Sequence, residues 1–182
     1  MPKRTGQSPE QAEGSARIRI APLLLIAVAL VLLLAAALPL VPALAVSDAR
    51  TGRPLLALPI EKGEAFYLRY THSVNLSDVT DGMEWNGETI MVRSTLFKAY
   101  GVGMPVLADG IGNAFANTPD GFLITGIDRP ESEILLLTQE VPNNRLLYRD
   151  REINLLSRCG SGTLLRIRVI CASFLFLMLY RE

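Results

Sequence analysis

One stretch constrains this chain more than any other. From Ile20 to Val46 no residue is charged, and Leu23 to Leu38 is sixteen uninterrupted apolar residues. A helix on a soluble core keeps a polar stripe on its outer face, and this run has none. A bilayer core needs about 20 apolar residues, with a range down to about 17. The span from Ile20 to Leu40 meets that length, since Pro22 falls in the first turn, where proline is tolerated. The segment 20–46 is therefore expected to hold one N-terminal transmembrane helix. Lys3, Arg4, Arg17 and Arg19 precede it. Basic flanks stay on the cytoplasmic side, so the remainder of the chain is expected outside the cytoplasm. The same segment also reads as a cleavable signal peptide, with Ala43-Leu44-Ala45 as a small-x-small cleavage site and Pro42 before it. The apolar run is longer than the usual h-region of about 7–15 residues. That favours a signal anchor over a signal cut after Ala45, and both place the next domain outside the cytoplasm.

Around this segment the chain divides into a polar tail at 1–19, expected to be disordered and cytoplasmic, a domain at 47–169 and an apolar tail at 170–182. The 18 basic and 18 acidic residues cancel, and the part after residue 46 holds fourteen basic and sixteen acidic groups. Such a near-neutral surface gives no footprint for nucleic acid and no steering of an anionic partner. Two cysteines exclude a disulfide-dense scaffold and a four-thiolate zinc site. A single histidine excludes any site that needs two.

After residue 46 the pattern is of strands. Leu44-Ala45-Val46 and Pro54 to Leu58 flank a polar turn at 47–53, which is a hairpin pattern. Ala65 to Val74 is aromatic and β-branched with rough alternation. Asn86-Gly87 separates Met83-Glu84-Trp85 from Thr89 to Val92, the strongest hairpin cue in the chain. Further strands are expected at Arg93 to Ala99, Gly121 to Ile127, Ile134 to Thr138, Arg145 to Tyr148 and Leu164 to Ile170. Turns are expected at Gly110 to Asp120, Asp128-Arg129-Pro130 and Pro142-Asn143-Asn144. No three-turn amphipathic helix follows residue 50. The expected fold is mainly β, a small antiparallel sandwich or barrel-like domain preceded by one transmembrane helix. In the tail, Val169 to Tyr180 has only Ser173 as a polar residue. As a helix it is about 18 Å long, short of a bilayer, so it reads as a buried strand with an apolar end packed on the domain or on the membrane surface, rather than a second span.

The candidate chemistry centres on His72. It lies beside Ser73, but neighbours along a strand point to opposite faces, so a direct nucleophile pair is geometrically poor. A carboxylate such as Asp78 or Asp81 could meet His72 after the chain turns. Asp78, Asp81 and Glu84 with His72 would be a mixed oxygen and nitrogen metal set, without EF-hand spacing; a solvated loop is the simpler reading. Gly101 and Gly103, in Ala99 to Pro105, permit tight backbone geometry, but no clear helix follows to make a phosphate loop. No metal or cofactor is expected. Cys159 and Cys171 are twelve apart and are not expected to pair. Trp85 reads as packing.

Tyr70-Thr71-His72-Ser73-Val74 and Phe97 to Pro105 resemble the bacterial and archaeal domain-of-unknown-function family 1850. Asp48 to Gly52 and Gly126 to Pro130 agree with it, and the resemblance covers roughly Leu44 to Val169. Genes of that family often lie beside those of TAXI-type TRAP transporters, uptake systems with an extracytoplasmic solute-binding protein and fused membrane subunits. The resemblance thus implies a membrane-anchored accessory protein that acts by contact with the membrane subunit, the solute-binding protein or both. It implies no catalytic residue. The recurrent polar positions it carries over are Thr71, His72, Ser73 and Asp81, and the glycine turn is Tyr100, Gly101, Gly103 and Pro105. The family tends to have proline near Asp78 and glutamate near Asp81, so the carboxylate here is shorter. The competing classes are an exported hydrolase or metal-dependent enzyme built on His72 and a structural protein of the cell envelope.

Overall fold

The computed structural model describes residues 20–98 and 113–181, so the tail at 1–19 and the glycine turn at Tyr100, Gly101, Gly103 and Pro105 lie outside the described residues. The chain forms two units, Met1–Leu38 and Pro39–Glu182. In the first, α1 (Ile20–Ala37) has 18 residues, about 27 Å at 1.5 Å per residue, against about 30 Å of bilayer hydrocarbon. Among the described residues no helix is long and apolar enough to cross a membrane. The large apolar residues at 23–26, 28 and 30–34 of α1 are exposed around its whole circumference. The helix stops short of the expected Leu40. Leu38 precedes Pro39, whose ring disfavours a helical conformation in the residue before it.

The second unit is mainly β. Its strands are β1 (Pro39–Asp48), β2 (Pro54–Pro59), β3 (Ala65–Thr71), β4 (Asp78–Trp85), β5 (Ile90–Phe97), β6 (Ala114–Thr118), β7 (Gly121–Glu131), β8 (Ile134–Leu137), β9 (Arg145–Tyr148), β10 (Arg151–Asn154) and β11 (Leu164–Ser173). Two short helices, α2 (Leu155–Cys159) and α3 (Phe174–Tyr180), flank β11. The strands form two antiparallel sheets, ordered β2-β1-β11-β8 and β10-β9-β3-β4-β5-β7-β6. Both sheets contribute to one core: Leu44, Val46, Leu56, Leu165 and Ile167 from the smaller meet Phe66, Leu68, Met83, Ile90 and Leu146 from the larger.

Local chemistry accounts for most element ends. Asp48 accepts hydrogen bonds from the amides of Arg50 (2.8 Å) and Thr51 (3.0 Å), which closes the β1–β2 hairpin. In the β4–β5 turn, Asn86 Oδ1 accepts from Glu88 N (2.9 Å) and Thr89 N (2.8 Å), while Gly87 takes the positive φ of 104°. The α2 helix begins at Asn154, whose side chain accepts from Ser157 N.

A bulge sets which residues of β5 face inward. Ile90 and Val92 are buried, then Thr95 and Phe97, so the alternation shifts by one residue between them. The register breaks there too, with Val92 opposite Arg129 and Ser94 opposite Thr125. Without that extra residue Phe97 would point to solvent. Arg93 occupies the break and pairs with Glu84 and Asp128.

Four expectations are corrected. Residues 39–46, read as part of the apolar segment, form most of β1, with Ala43 and Leu44 fully buried. Residues 128–130, read as a turn, lie inside β7, with Asp128 at φ 51°. Pro130 is tolerated because β6 pairs only with the stretch Gly121 to Thr125, leaving that part of β7 at a local edge. Residues 90–97, read as parts of two strands, form the single bulged β5. Residues 114–118, read as part of a turn, form β6. The apolar tail, read as a buried strand with an apolar end, is the end of β11 plus α3. Cys159 and Cys171 are both free.

Candidate functional site

Among the described residues, those singled out in the sequence fall on two separate places. The first is the turn between β3 and β4. The strand ends at Thr71, one residue before His72. There the His72 amide donates to Ser77 O and the Leu76 amide donates to His72 O, both at 2.8 Å. The imidazole completes the turn: Nδ1 accepts from the amides of Val74 (3.3 Å) and Asn75 (3.4 Å). An accepting Nδ1 carries no proton, so the ring N–H is on Nε2. Thr71 Oγ1 donates to Asp78 Oδ1 at 3.4 Å, and its amide donates to Pro142 O at 2.8 Å. Ser73 is exposed at the start of the turn.

This turn presents apolar groups to solvent. Val74 and Leu76 are 68% and 71% exposed, and Leu76 has a left-handed φ of 49°. A bulky non-glycine residue in that region is held there by its surroundings at a cost. The pattern Ser73-Val74-Asn75-Leu76-Ser77 carried this signal, two large apolar residues in an otherwise polar turn. The strand reading of Ala65 to Val74 hid it.

Asp81 belongs to the second place. Along β4 the residues alternate, so Val79, Asp81 and Met83 face inward while Asp78, Thr80 and Glu84 face outward. The three carboxylates considered as a metal set are thus split between two faces of one sheet. Among the described residues no group of three or more histidine, cysteine or acidic side chains is placed to hold a metal. The register sets Asp81 opposite Leu68 on one side and Thr95 on the other. Tyr70 and Thr95 flank its carboxylate and, with the Arg129 charge, favour its ionised form. Burial is the larger influence and pushes the Asp81 carboxyl above its ordinary range. Tyr70 is pushed up to about 12, first by burial and then by the Asp81 charge. The His72 ring takes its bonds from its own turn and Asp81 has its partners on β3 and β5, so the structure does not pair the two.

Asp81 and Tyr70 line a cleft of about 400 Å³, walled by Leu68, Met83, Val92, Ile134 and Leu136, with Arg129, Glu131 and Glu133 among its charged residues. Arg129 and Glu131 pair at 2.9 Å, and Glu133 pairs with Arg166 at 2.9 Å. A second basin of about 330 Å³ on the outward face is lined by Arg69, Asp78, Thr80, Leu96, Lys98 and Asp120. Sequence reasoning found Asp81 but not its hydroxyl partners, Tyr70 and Thr95, because Thr95 comes into register only through the β5 bulge.

No curated protein and no solved structure matches the chain. A family model does match, over residues 66–155. That stretch is narrower than the Leu44 to Val169 expected. It takes in β3 to β10, and so the whole seven-stranded sheet and β8, but leaves out β1, β2 and β11. Thr71, His72, Ser73 and Asp81 all fall inside it, and the chain belongs to the family described as Domain of unknown function (DUF1850).

Proposed function

We propose that this protein is a membrane-anchored extracytoplasmic accessory protein of a TAXI-type TRAP solute uptake transporter, and that it acts by protein–protein contact. The β3–β4 turn is the observation that carries the contact. His72 stiffens its backbone, and Val74 and Leu76 stand exposed at its tip. Exposed apolar groups held on a rigid turn lose little entropy when a partner covers them. The transporter context comes from the family resemblance.

The anchor is α1, which lacks the polar face that a helix lying flat on a membrane needs. The few ångströms it lacks are within what a bilayer accommodates by local thinning. A retained anchor is also supported from the other side of the junction. Cleavage after Ala45 would remove the first seven residues of β1, an interior strand paired on both edges with β2 and β11. In this reading the anchor raises the effective concentration of a weakly binding domain near its membrane partner.

The test is co-purification in mild detergent from a tag placed at the N-terminus, where recovery also shows that the anchor is retained. The wild-type chain should bring the transporter membrane subunit or solute-binding protein with it. Val74→Asp combined with Leu76→Asp should abolish that recovery, and His72→Ala should weaken it. If wild-type protein comes alone, the accessory-subunit reading fails. If the double variant recovers the transporter as well as wild type does, the turn is not the contact.

A further inference from the structure

We propose that α3 is a second membrane contact, resting its outer apolar face on the bilayer in which α1 is anchored. This inference depends on the anchor reading above. All seven residues of α3 are apolar or aromatic. One face is used by the domain: Leu177 is buried against Ala43, Ala57 and Ala172, with Phe176 and Tyr180 beside it. The other face is Phe174, Met178 and Leu179, which are 58%, 65% and 76% exposed. A surface helix in water carries polar residues at those positions.

The register of the sheet places this face. Strands β1 and β11 are antiparallel, and their outermost pair is Pro39 with Ser173. Pro39 is the residue at which the chain arrives from α1, and Ser173 is the N-cap from which it leaves into α3. Adjacent strands lie about 5 Å apart, so α3 starts one strand spacing from the point where the anchor joins the domain. Leu40, at that same end of β1, is also exposed. The chain thus enters from α1 and leaves into α3 at the same end of the domain. At seven residues, about 10 Å, α3 is too short to cross and would lie along the interface. Its last aromatic residue is Tyr180, followed by exposed Arg181, residue types suited to the headgroup level. Two contacts, one from each strand at the same end of the β1–β11 pair, would fix the orientation of the domain to the membrane as well as its distance.

The test uses the full chain in phosphatidylcholine vesicles, with and without brominated acyl chains that quench tryptophan. A Trp85→Phe background removes the native indole. Leu30→Trp reports on α1, Phe174→Trp reports on α3, and Tyr67→Trp on the outer sheet face is the aqueous control. We expect the Leu30→Trp indole to be strongly quenched, the Phe174→Trp indole at least half as strongly, and the control not at all. If Leu30→Trp is quenched and Phe174→Trp behaves like the control, this inference fails while the anchor stands. A blue-shifted but unquenched Phe174→Trp indole means that a second copy or another protein covers the face, which also overturns it. If neither is quenched, the anchor reading itself fails and this one falls with it.

Discussion

Replacing Glu64 by Gln tests the electrostatics of the corner where β3, β4 and β9 meet. Arg149 donates to both oxygens of Glu64, Nε at 2.6 Å and Nη2 at 3.1 Å. The same guanidinium lies 5.0 Å from the centre of the Tyr148 ring. This clamp, more than any other contact, lowers the Glu64 carboxyl from 4.5 to about 2. Each tenfold change in acid dissociation is about 1.4 kcal/mol, so a dry pair would contribute about 3 kcal/mol. The Arg149 side chain is 53% exposed, and solvent screening brings the expected figure down to about 1 kcal/mol. The sign follows from the direction of the change. A lowered carboxyl contributes stability that is fully present above its unfolded value of about 4.5, and loses it as pH falls toward about 2. Trp85 is a suitable reporter, since it is the only tryptophan and its backbone bonds to Gly63 and Glu64. In urea unfolding at pH 6, Glu64→Gln should lower the midpoint by about 0.5 M, taking a slope near 2 kcal/mol per molar. At pH 2.5 the gap should largely close, and 1 M NaCl at pH 6 should narrow it. An equal gap at both pH values would refute the argument, because the lost stability would then owe nothing to the charge.

Substitutions at three further positions test other links. Gly121→Ala places a Cβ 2.5 Å from the carbonyl oxygen of Phe97 at a φ of +132°. Strain and crowding together should cost roughly 3 kcal/mol, seen as a Tm lower by about 10 °C; an unchanged Tm would mean that the β5–β7 register is not as described. Thr138 is fully buried; its hydroxyl donates to Gly160 O at 2.7 Å and accepts from Thr163 N at 3.2 Å. Thr138→Val should destabilise by about 1–3 kcal/mol in denaturant titrations, while Thr138→Ser should retain most of the stability. Asp81 has a raised carboxyl, so the folded state holds its proton to higher pH and ionisation there costs stability. The stability of Asp81→Asn relative to wild type should therefore rise as pH is raised above about 3.8; a pH-independent difference would show that Asp81 is not buried as described.

The sequence revealed the strands wherever alternation or turn chemistry was local. Arg145 to Tyr148 matches β9 residue for residue, and the Asn86-Gly87 turn joins β4 to β5. It hid features that depend on partners distant in sequence. Strand β6 was read as turn because Ala114 to Thr118 has no apolar alternation, and only pairing with β7 makes it a strand. The continuity of β7 through Asp128-Arg129-Pro130 depends on β5 alongside it. At the candidate site, the residue types were legible and their partnerships were not. His72 and Asp81 were found as polar positions, but strand parity sends Asp81 inward, and the end of β3 turns His72 back onto its own backbone.

The boundary of the family match divides the domain along a physical line. Residues 66–155 build the whole seven-stranded sheet with the β3–β4 turn and the Asp81 cleft. The flanks build β1, β2 and β11 of the other sheet, to which the match adds β8; β1 and β11 are remote in sequence but share a nine-pair antiparallel register. That register closes the core, since Leu44 and Val46 from one flank and Leu165 and Ile167 from the other are all buried against Phe66 and Leu146. It also brings residue 39 beside residue 173, gathering Leu40, Phe174, Met178 and Leu179 at one end of the domain. A chain that needed the second sheet only to complete its core would gain nothing by leaving large apolar groups exposed there. On the membrane reading proposed above, their concentration beside Pro39 gives the flanks a second task, which is to hold the domain at a fixed attitude to the membrane.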